Sequence, residues 1–222
     1  MAHPVPFDWK GWLGWVAATM VGAELVVFII YFLFPHIVSD PLRGSLIQQL
    51  VWIGMIGMPG PTIATVQWIW LRRRVRKAAW WIVAAVTGWY VVLGLSALRG
   101  LPLIERFTAK FETTTDIISF CLLGAAMSVP QWLLLRRRFF EAGYWIAARP
   151  LGWLVGFGLI LLARGLQVVQ LDLLEGTQLF GWSVPDLVGW SVVAELFGFG
   201  IGAVTGAAIV WILRKPTSIL NA

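Results

Sequence analysis

The side chains with the most chemical potential are two acids set inside long apolar runs, Glu24 and Glu195. A charged carboxylate at mid-bilayer costs at least about 2–3 kcal/mol on insertion scales, so such a group is paired or faces a cavity. Two uses fit: a proton or cation path, or an internal ion pair or hydrogen bond that fixes helix register. Glu24 falls near the middle of its run, and Glu195 lies closer to one end, within reach of Arg99 or Arg164. Gln67 and Gln131 each precede a tryptophan, Trp68 and Trp132. They either hydrogen-bond across repeats, at about 0.6 kcal/mol each, or contact lipid headgroups. His3 and His36 are the only histidines and neither is deep in an apolar run. That disfavours a haem held between helices and leaves His36 as a candidate ligand for a chlorophyll-type pigment. Cys121 stands alone, which excludes a disulfide framework or a cysteine metal site. No phosphate loop, zinc-ligand helix or nucleophile elbow is present, so enzyme is the least supported class.

These residues are carried by apolar helices. Of 222 residues 59% are hydrophobic and 13% are charged, where a soluble domain carries about 25% charged residues. Fifteen tryptophans suit a chain whose side chains sit half in lipid and half in water. The net charge of +6 follows topology rather than nucleic acid, since the cations cluster beside apolar runs and no nucleic-acid motif accompanies them. Gln67-Trp68-Ile69-Trp70-Leu71-Arg72-Arg73-Arg74 and Gln131-Trp132-Leu133-Leu134-Leu135-Arg136-Arg137-Arg138 end two runs with an interfacial Trp and a basic cluster. Trp211-Ile212-Leu213-Arg214-Lys215 ends a third more weakly.

The pattern predicts an all-α integral membrane protein with six transmembrane helices in a single domain over 1–222. The spans run about Trp12 to Phe34 (ended by Pro35), Ser45 to Leu71, Ala78 to Leu98, Asp116 to Leu135, Tyr144 to Leu166 and Asp186 to Leu213. Met58-Pro59-Gly60-Pro61 should kink or break the second span, and Pro150 falls in the first turns of the fifth. Gln167 to Pro185 reads as an interfacial segment. The first span lacks a basic leader and a cleavage signature, and reads as uncleaved. Lys10, the five cations within Arg72 to Lys77, Arg136 to Arg138, and Arg214 with Lys215 share one side. By the positive-inside rule that side is the cytoplasm of a bacterial inner membrane and holds both termini. Arg72, Arg73, Arg74, Arg136, Arg137 and Arg138 would also bind anionic lipid headgroups.

An internal repeat underlies these spans. Trp15, Trp81 and Trp145 each precede a glycine by seven residues, at Gly22, Gly88 and Gly152. Ala97-Leu98-Arg99-Gly100 and Leu162-Ala163-Arg164-Gly165 close two of the same helices. Three hairpins follow, at about 12–77, 78–143 and 144–215, as parallel repeats about an axis near the membrane normal. Gly198, Gly202 and Gly206 form a stripe that admits a close helix neighbour. Gly152 and Gly156 are the natural internal partner, with another subunit, a pigment or a lipid as the alternative.

This hairpin, with Trp then Gly in the first helix and Gln-Trp then Leu-Arg in the second, resembles Trp-rich multi-pass membrane proteins of unknown function from photosynthetic and related bacteria. The likeness covers nearly all the chain, and the third hairpin departs by placing Val210 where Gln stands in the others. It implies a membrane repeat protein near a photosynthetic or respiratory assembly, without an activity. Two functions are therefore expected. One is a non-catalytic accessory or scaffold subunit that holds membrane subunits, lipid, carotenoid or chlorophyll-type pigment. The alternative is a small-solute or proton transporter or channel that uses Glu24 or Glu195.

Overall fold

The fold is known from a computed structural model, which describes residues 7–37, 57–75, 77–98, 114–165, 178–179 and 182–214. Among the described residues there are six α-helices: α1 (Trp9–Ile37), α2 (Pro59–Leu71), α3 (Trp80–Leu98), α4 (Thr114–Leu135), α5 (Tyr144–Gly165) and α6 (Val184–Leu213). A 3-10 turn, Phe140–Gly143, leads into α5, and a two-residue antiparallel pair, β1 (Gln178–Leu179) with β2 (Trp182–Ser183), precedes α6. Among the described residues, three helical stretches are long and apolar enough to cross a membrane: Trp9–Ile30, Glu141–Ala163 and Val188–Leu213. Trp80–Gly94 and Cys121–Leu135 are shorter apolar helices. In hydrocarbon a helix suits such runs because it satisfies every backbone group within the segment.

Several boundaries differ from the sequence reading. Helix α1 passes through Pro35 to Ile37, since a proline removes one hydrogen bond, to the carbonyl four residues back, and a membrane helix tolerates that loss. The break near Met58 is a bend at that residue, between Gly57, itself helical, and the start of α2. Pro59 opens the new helix at a position where its missing N–H has no partner to lose, and the Thr62 amide donates to the Met58 carbonyl at 3.0 Å. Lys77 takes a left-handed conformation (φ 62) in the turn before α3, which delays that helix to Trp80. Pro150 lies in the second turn of α5, within the first turns as expected, and Pro130 lies within α4. Of the expected interfacial segment, only the short strands and the first residues of α6 are described.

Each helix packs on its neighbours in the chain, and α6 packs on α1, so the six close into a ring. Its register is set by a buried heptad pattern. Gly60, Ala64, Gln67 and Leu71 recur as Gly124, Ser128, Gln131 and Leu135, and again as Gly198, Gly202, Thr205 and Ile209. In the odd helices Trp15, Ala18, Thr19 and Gly22 recur as Trp81, Ala84, Ala85 and Gly88, then as Trp145, Ala148, Arg149 and Gly152. The repeated glycines mark the closest helix approaches. A Cβ on Gly22 would lie 2.8 Å from the Ile63 Cα and one on Gly152 2.9 Å from the Ile201 Cα, while Gly88 abuts the Met127 backbone. The same contact thus joins the two helices of every hairpin.

The stripe on α6 faces α1, which corrects its expected pairing with Gly152 and Gly156. Gly198 meets Met20 and Ala23, Gly202 meets Val16 and Thr19, and Gly206 meets the indoles of Trp12 and Trp15. Gly152 and Gly156 instead receive Ile201, Gly200 and Phe197 from the other side of α6. With small residues on both sides, α6 is the helix through which the last hairpin joins the first. A side chain at Gly202 has no room, because its Cβ would sit 3.0 Å from the Val16 Cα. Gly202→Leu should destabilise the folded protein by about 1–3 kcal/mol through overpacking. Gly158→Leu, with open space at its Cβ, should be near neutral. Thermal unfolding of both variants in the same detergent checks the contrast.

Candidate functional site

The centre of the ring is made by the three repeated tryptophans. Trp15, Trp81 and Trp145 are 0%, 2% and 0% exposed. Their rings meet edge to face, with centroids 5.7 Å apart for Trp15 and Trp81, 6.0 Å for Trp15 and Trp145, and 5.1 Å for Trp81 and Trp145. Such pairs are worth about 0.5–1.5 kcal/mol beyond the area they bury.

Each indole N–H is then satisfied by the preceding hairpin in the ring. Trp81 Nε1 donates to Gln67 Oε1 at 3.2 Å, Trp145 Nε1 to Gln131 Oε1 at 3.1 Å, and Trp15 Nε1 to Thr205 Oγ1 at 3.0 Å. Gln67 and Gln131 are 1% and 0% exposed, so they join hairpins and do not reach lipid headgroups. The counterpart of the glutamines in the third hairpin is Thr205, not Val210. Arg214 follows Thr205 by nine residues, against five from Gln67 to Arg72 and from Gln131 to Arg136. Helix α6 therefore runs about one extra turn past the equivalent layer, and its basic end is out of step with the repeat.

The polar links differ one turn deeper in the ring. In the first hairpin Gln67 Nε2 donates to Thr19 Oγ1 at 3.0 Å, and Thr19 donates on to the Trp15 carbonyl at 3.0 Å. The second hairpin has Ala85 at the Thr19 position, and Gln131 Nε2 is buried without a partner. The third has Arg149, 7% exposed, whose Nε is buried without a partner. Sequence reasoning passed over Arg149, although a lone cation inside the apolar run Ala147-Ala148-Arg149-Pro150-Leu151 was the signal available. Ser128 and Thr205 donate back to the Gly124 and Ile201 carbonyls at 2.7 and 2.6 Å.

The two singled-out acids part company. Glu24 is half-buried between α1 and α6, where Ser191 Oγ donates to its Oε1 at 2.8 Å while Oε2 is buried without a partner. Glu195 is exposed on the outer wall of α6, which corrects its placement among the buried polar groups. It precedes Gly202 by seven residues, two helical turns, so it lies on the side of α6 that meets α1, at the exposed edge of that seam. Arg99 lies outside the described residues. Arg164 and His36 fall in the last turns of α5 and α1, with side chains outside the described set, and His3 is likewise outside it. Among the described residues, no three of His, Cys, Asp and Glu converge as a metal site would require.

The basic clusters gather at the ends of α2, α4 and α6. Arg72, Arg74 and Arg136 lie over Trp68, Trp70 and Trp132, with the guanidinium carbon 5.3, 4.2 and 4.8 Å from the ring centroid, and Arg214 lies over Phe7 at 5.0 Å. Arg73 and Arg137 are exposed, and Arg138 is partly buried with a partner of its own. A cavity of about 480 Å³ at this end is lined by Asp8, Arg74, Phe139, Val210, Leu213 and Arg214. Asp8 accepts from the Gly11 amide at 2.8 Å and from Arg74 Nη1 at 3.0 Å. The Gly11 amide, then Arg74 and the nearby Arg214, hold its carboxyl below the ordinary 3.8.

Two outcomes follow. Gln67→Leu removes the acceptor of Trp81 and the donor to Thr19, at a cost of about 1–2 kcal/mol. Gln131→Leu strands Trp145 in the same way but also removes an amide that has no acceptor, so it should cost about 1 kcal/mol less. Parallel unfolding of the two variants measures the difference. For Asp8, a lowered folded value means that its contribution is present above the unfolded carboxyl value and is lost as pH falls through the folded one. Acid titration of Tm below pH 3.8 should show a loss that Asp8→Asn reduces.

Comparison with protein-family models, curated proteins and solved structures found no match to this chain.

Proposed function

We propose that the chain is a six-span membrane protein of three hairpins and serves as a non-catalytic accessory subunit of a larger bacterial inner-membrane complex. Its basic end, with both termini, faces the cytoplasm in this reading. The observation that carries the proposal is the exposed Glu195 within the apolar run of α6. A carboxylate on a wall that faces lipid is costly, whereas a donor on a neighbouring subunit would satisfy it. Phe199, one turn on along the same side of the helix, is exposed and would supply apolar contact beside that link. The resemblance to Trp-rich repeat proteins of photosynthetic bacteria makes a photosynthetic or respiratory assembly, with its lipids and pigments, the setting in which to look.

The filled axis supports the same reading. A solute path along the ring would have to pass the three central tryptophans, whose contacts with one another leave them 0–2% exposed. The rival reading, transport of protons or a small solute, draws on Glu24, whose unpartnered, buried Oε2 is an acceptor that a moving proton could use.

The test is purification from native membranes in gentle detergent, with mass spectrometry and an absorption spectrum on the same fraction, for the natural chain and for Glu195→Leu. A stoichiometric partner that the variant loses is the expected result. A partner-free protein made more stable by Glu195→Leu would mean that Glu195 faces lipid, and the subunit role would fall. In reconstituted vesicles, proton flux that Glu24→Gln abolishes would favour transport.

A further inference from the structure

Arg149 and Gln131 together make a demand that the described protein groups leave unmet. Both are at least nine-tenths buried, at 7% and 0% exposed, and each carries a buried nitrogen with no hydrogen-bond partner, Nε of Arg149 and Nε2 of Gln131. Both are donors and neither can accept through the atom concerned. A buried guanidinium is stable only when it is paired and its N–H groups are taken up. Ordinary interior water satisfies an amide, but it does not neutralise a cation.

The repeat locates the two donors relative to one another. Gln131 Oε1 is anchored by Trp145 Nε1 at 3.1 Å, which fixes its Nε2 beside the start of α5. Arg149 is one helical turn beyond Trp145 on the same buried face of α5. Helical side chains lean toward the N-terminus of their helix, so its long stem runs back toward the Trp145 turn. In the first hairpin the equivalent Gln67 Nε2 is taken up by Thr19 Oγ1 at 3.0 Å. Ala85 stands at that position in the second hairpin, with a hydroxyl and a methyl fewer. The side-chain volume that threonine has and alanine lacks is on the scale of a single water, about 30 Å³ in the liquid.

We infer that the ring interior holds a small monovalent anion, of the size and charge of chloride, between Arg149 and Gln131. It accepts from the guanidinium and the carboxamide, neutralises the one cation in this layer of the repeat, and fills the place that the Thr19 hydroxyl takes in the first hairpin. The inference does not depend on the subunit role of the outer wall.

The experiment is thermal unfolding of the full chain in nanodiscs, with sodium chloride exchanged for sodium gluconate at constant ionic strength. Tm should rise by several degrees with chloride and saturate, because an ion that binds only the folded state stabilises it by mass action. Arg149→Met should abolish the rise. Ala85→Thr, which restores the acceptor found in the first hairpin, should raise Tm in gluconate and weaken the chloride response. Equal Tm in both salts, a chloride response that survives Arg149→Met, or an undiminished response in Ala85→Thr would each overturn the inference. The last comparison stands even if Arg149→Met does not fold.

Discussion

Three indole N–H groups must find acceptors in a place from which water is excluded, and the rest of the structure depends on how that is met. A tryptophan at the centre of a helix ring contributes a large apolar surface and one donor that is costly if stranded. Here the acceptor for each indole comes from a different hairpin: Gln67 serves Trp81, Gln131 serves Trp145 and Thr205 serves Trp15. The bonds therefore run around the ring, and the last hairpin cannot be removed without stranding the first. The glycines are the steric counterpart of this arrangement, since Gly22, Gly88 and Gly152 let the paired helices come near enough for short side chains to reach.

The same ring is symmetric where it is apolar and asymmetric where it is polar. Trp, Ala and Gly recur unchanged at their positions in all three first helices, while the position between them is Thr19, Ala85 and Arg149. Packing sets the first kind of position and tolerates few alternatives at native density. The second kind can diverge as long as its hydrogen-bonding is settled somewhere, and only the first hairpin settles it with its own side chains. Divergence at a single layer of a repeat, against identity above and below it, is the pattern of a position released from a shared structural role.

The sequence made the repeat, the helical class and the basic end legible because these rest on periodicity and on residue type. Trp15, Trp81 and Trp145 announced themselves through a constant seven-residue step to glycine. Gln67 and Gln131 were recognisable as equivalents, although one sequence could not decide between a cross-hairpin bond and a headgroup contact. Thr205 was hidden because the alignment was hung on Trp211 and Arg214, and the last helix extends past the repeat before it reaches them. Arg149 was hidden for another reason: a solitary cation gives no periodic signal, and its burial is a property of the ring. The direction of the Gly198 stripe was equally beyond reach, since α6 has small residues on two faces and only the assembled neighbours show which faces α1.

Filling the axis has a consequence for where function can reside. With the central layer occupied by tryptophan rings in mutual contact, the described surfaces that remain are the outer wall and the basic end. The outer wall is mostly what lipid requires, with Leu13, Val83, Leu133 and Leu161 all exposed, and such residues carry no information about a partner. Glu195 differs because lipid does not reward it. At the basic end Arg72, Arg74 and Arg136 lie over tryptophans and Arg74 is also paired to Asp8, while Arg73 and Arg137 are exposed. Cations held over aromatic rings keep their charge but give up conformational freedom, so this end is a fixed pattern of positive charge rather than a flexible brush. An exposed carboxylate within an apolar helix, and cations laid over indoles at one end, are features of the described surface that an apolar environment alone does not explain.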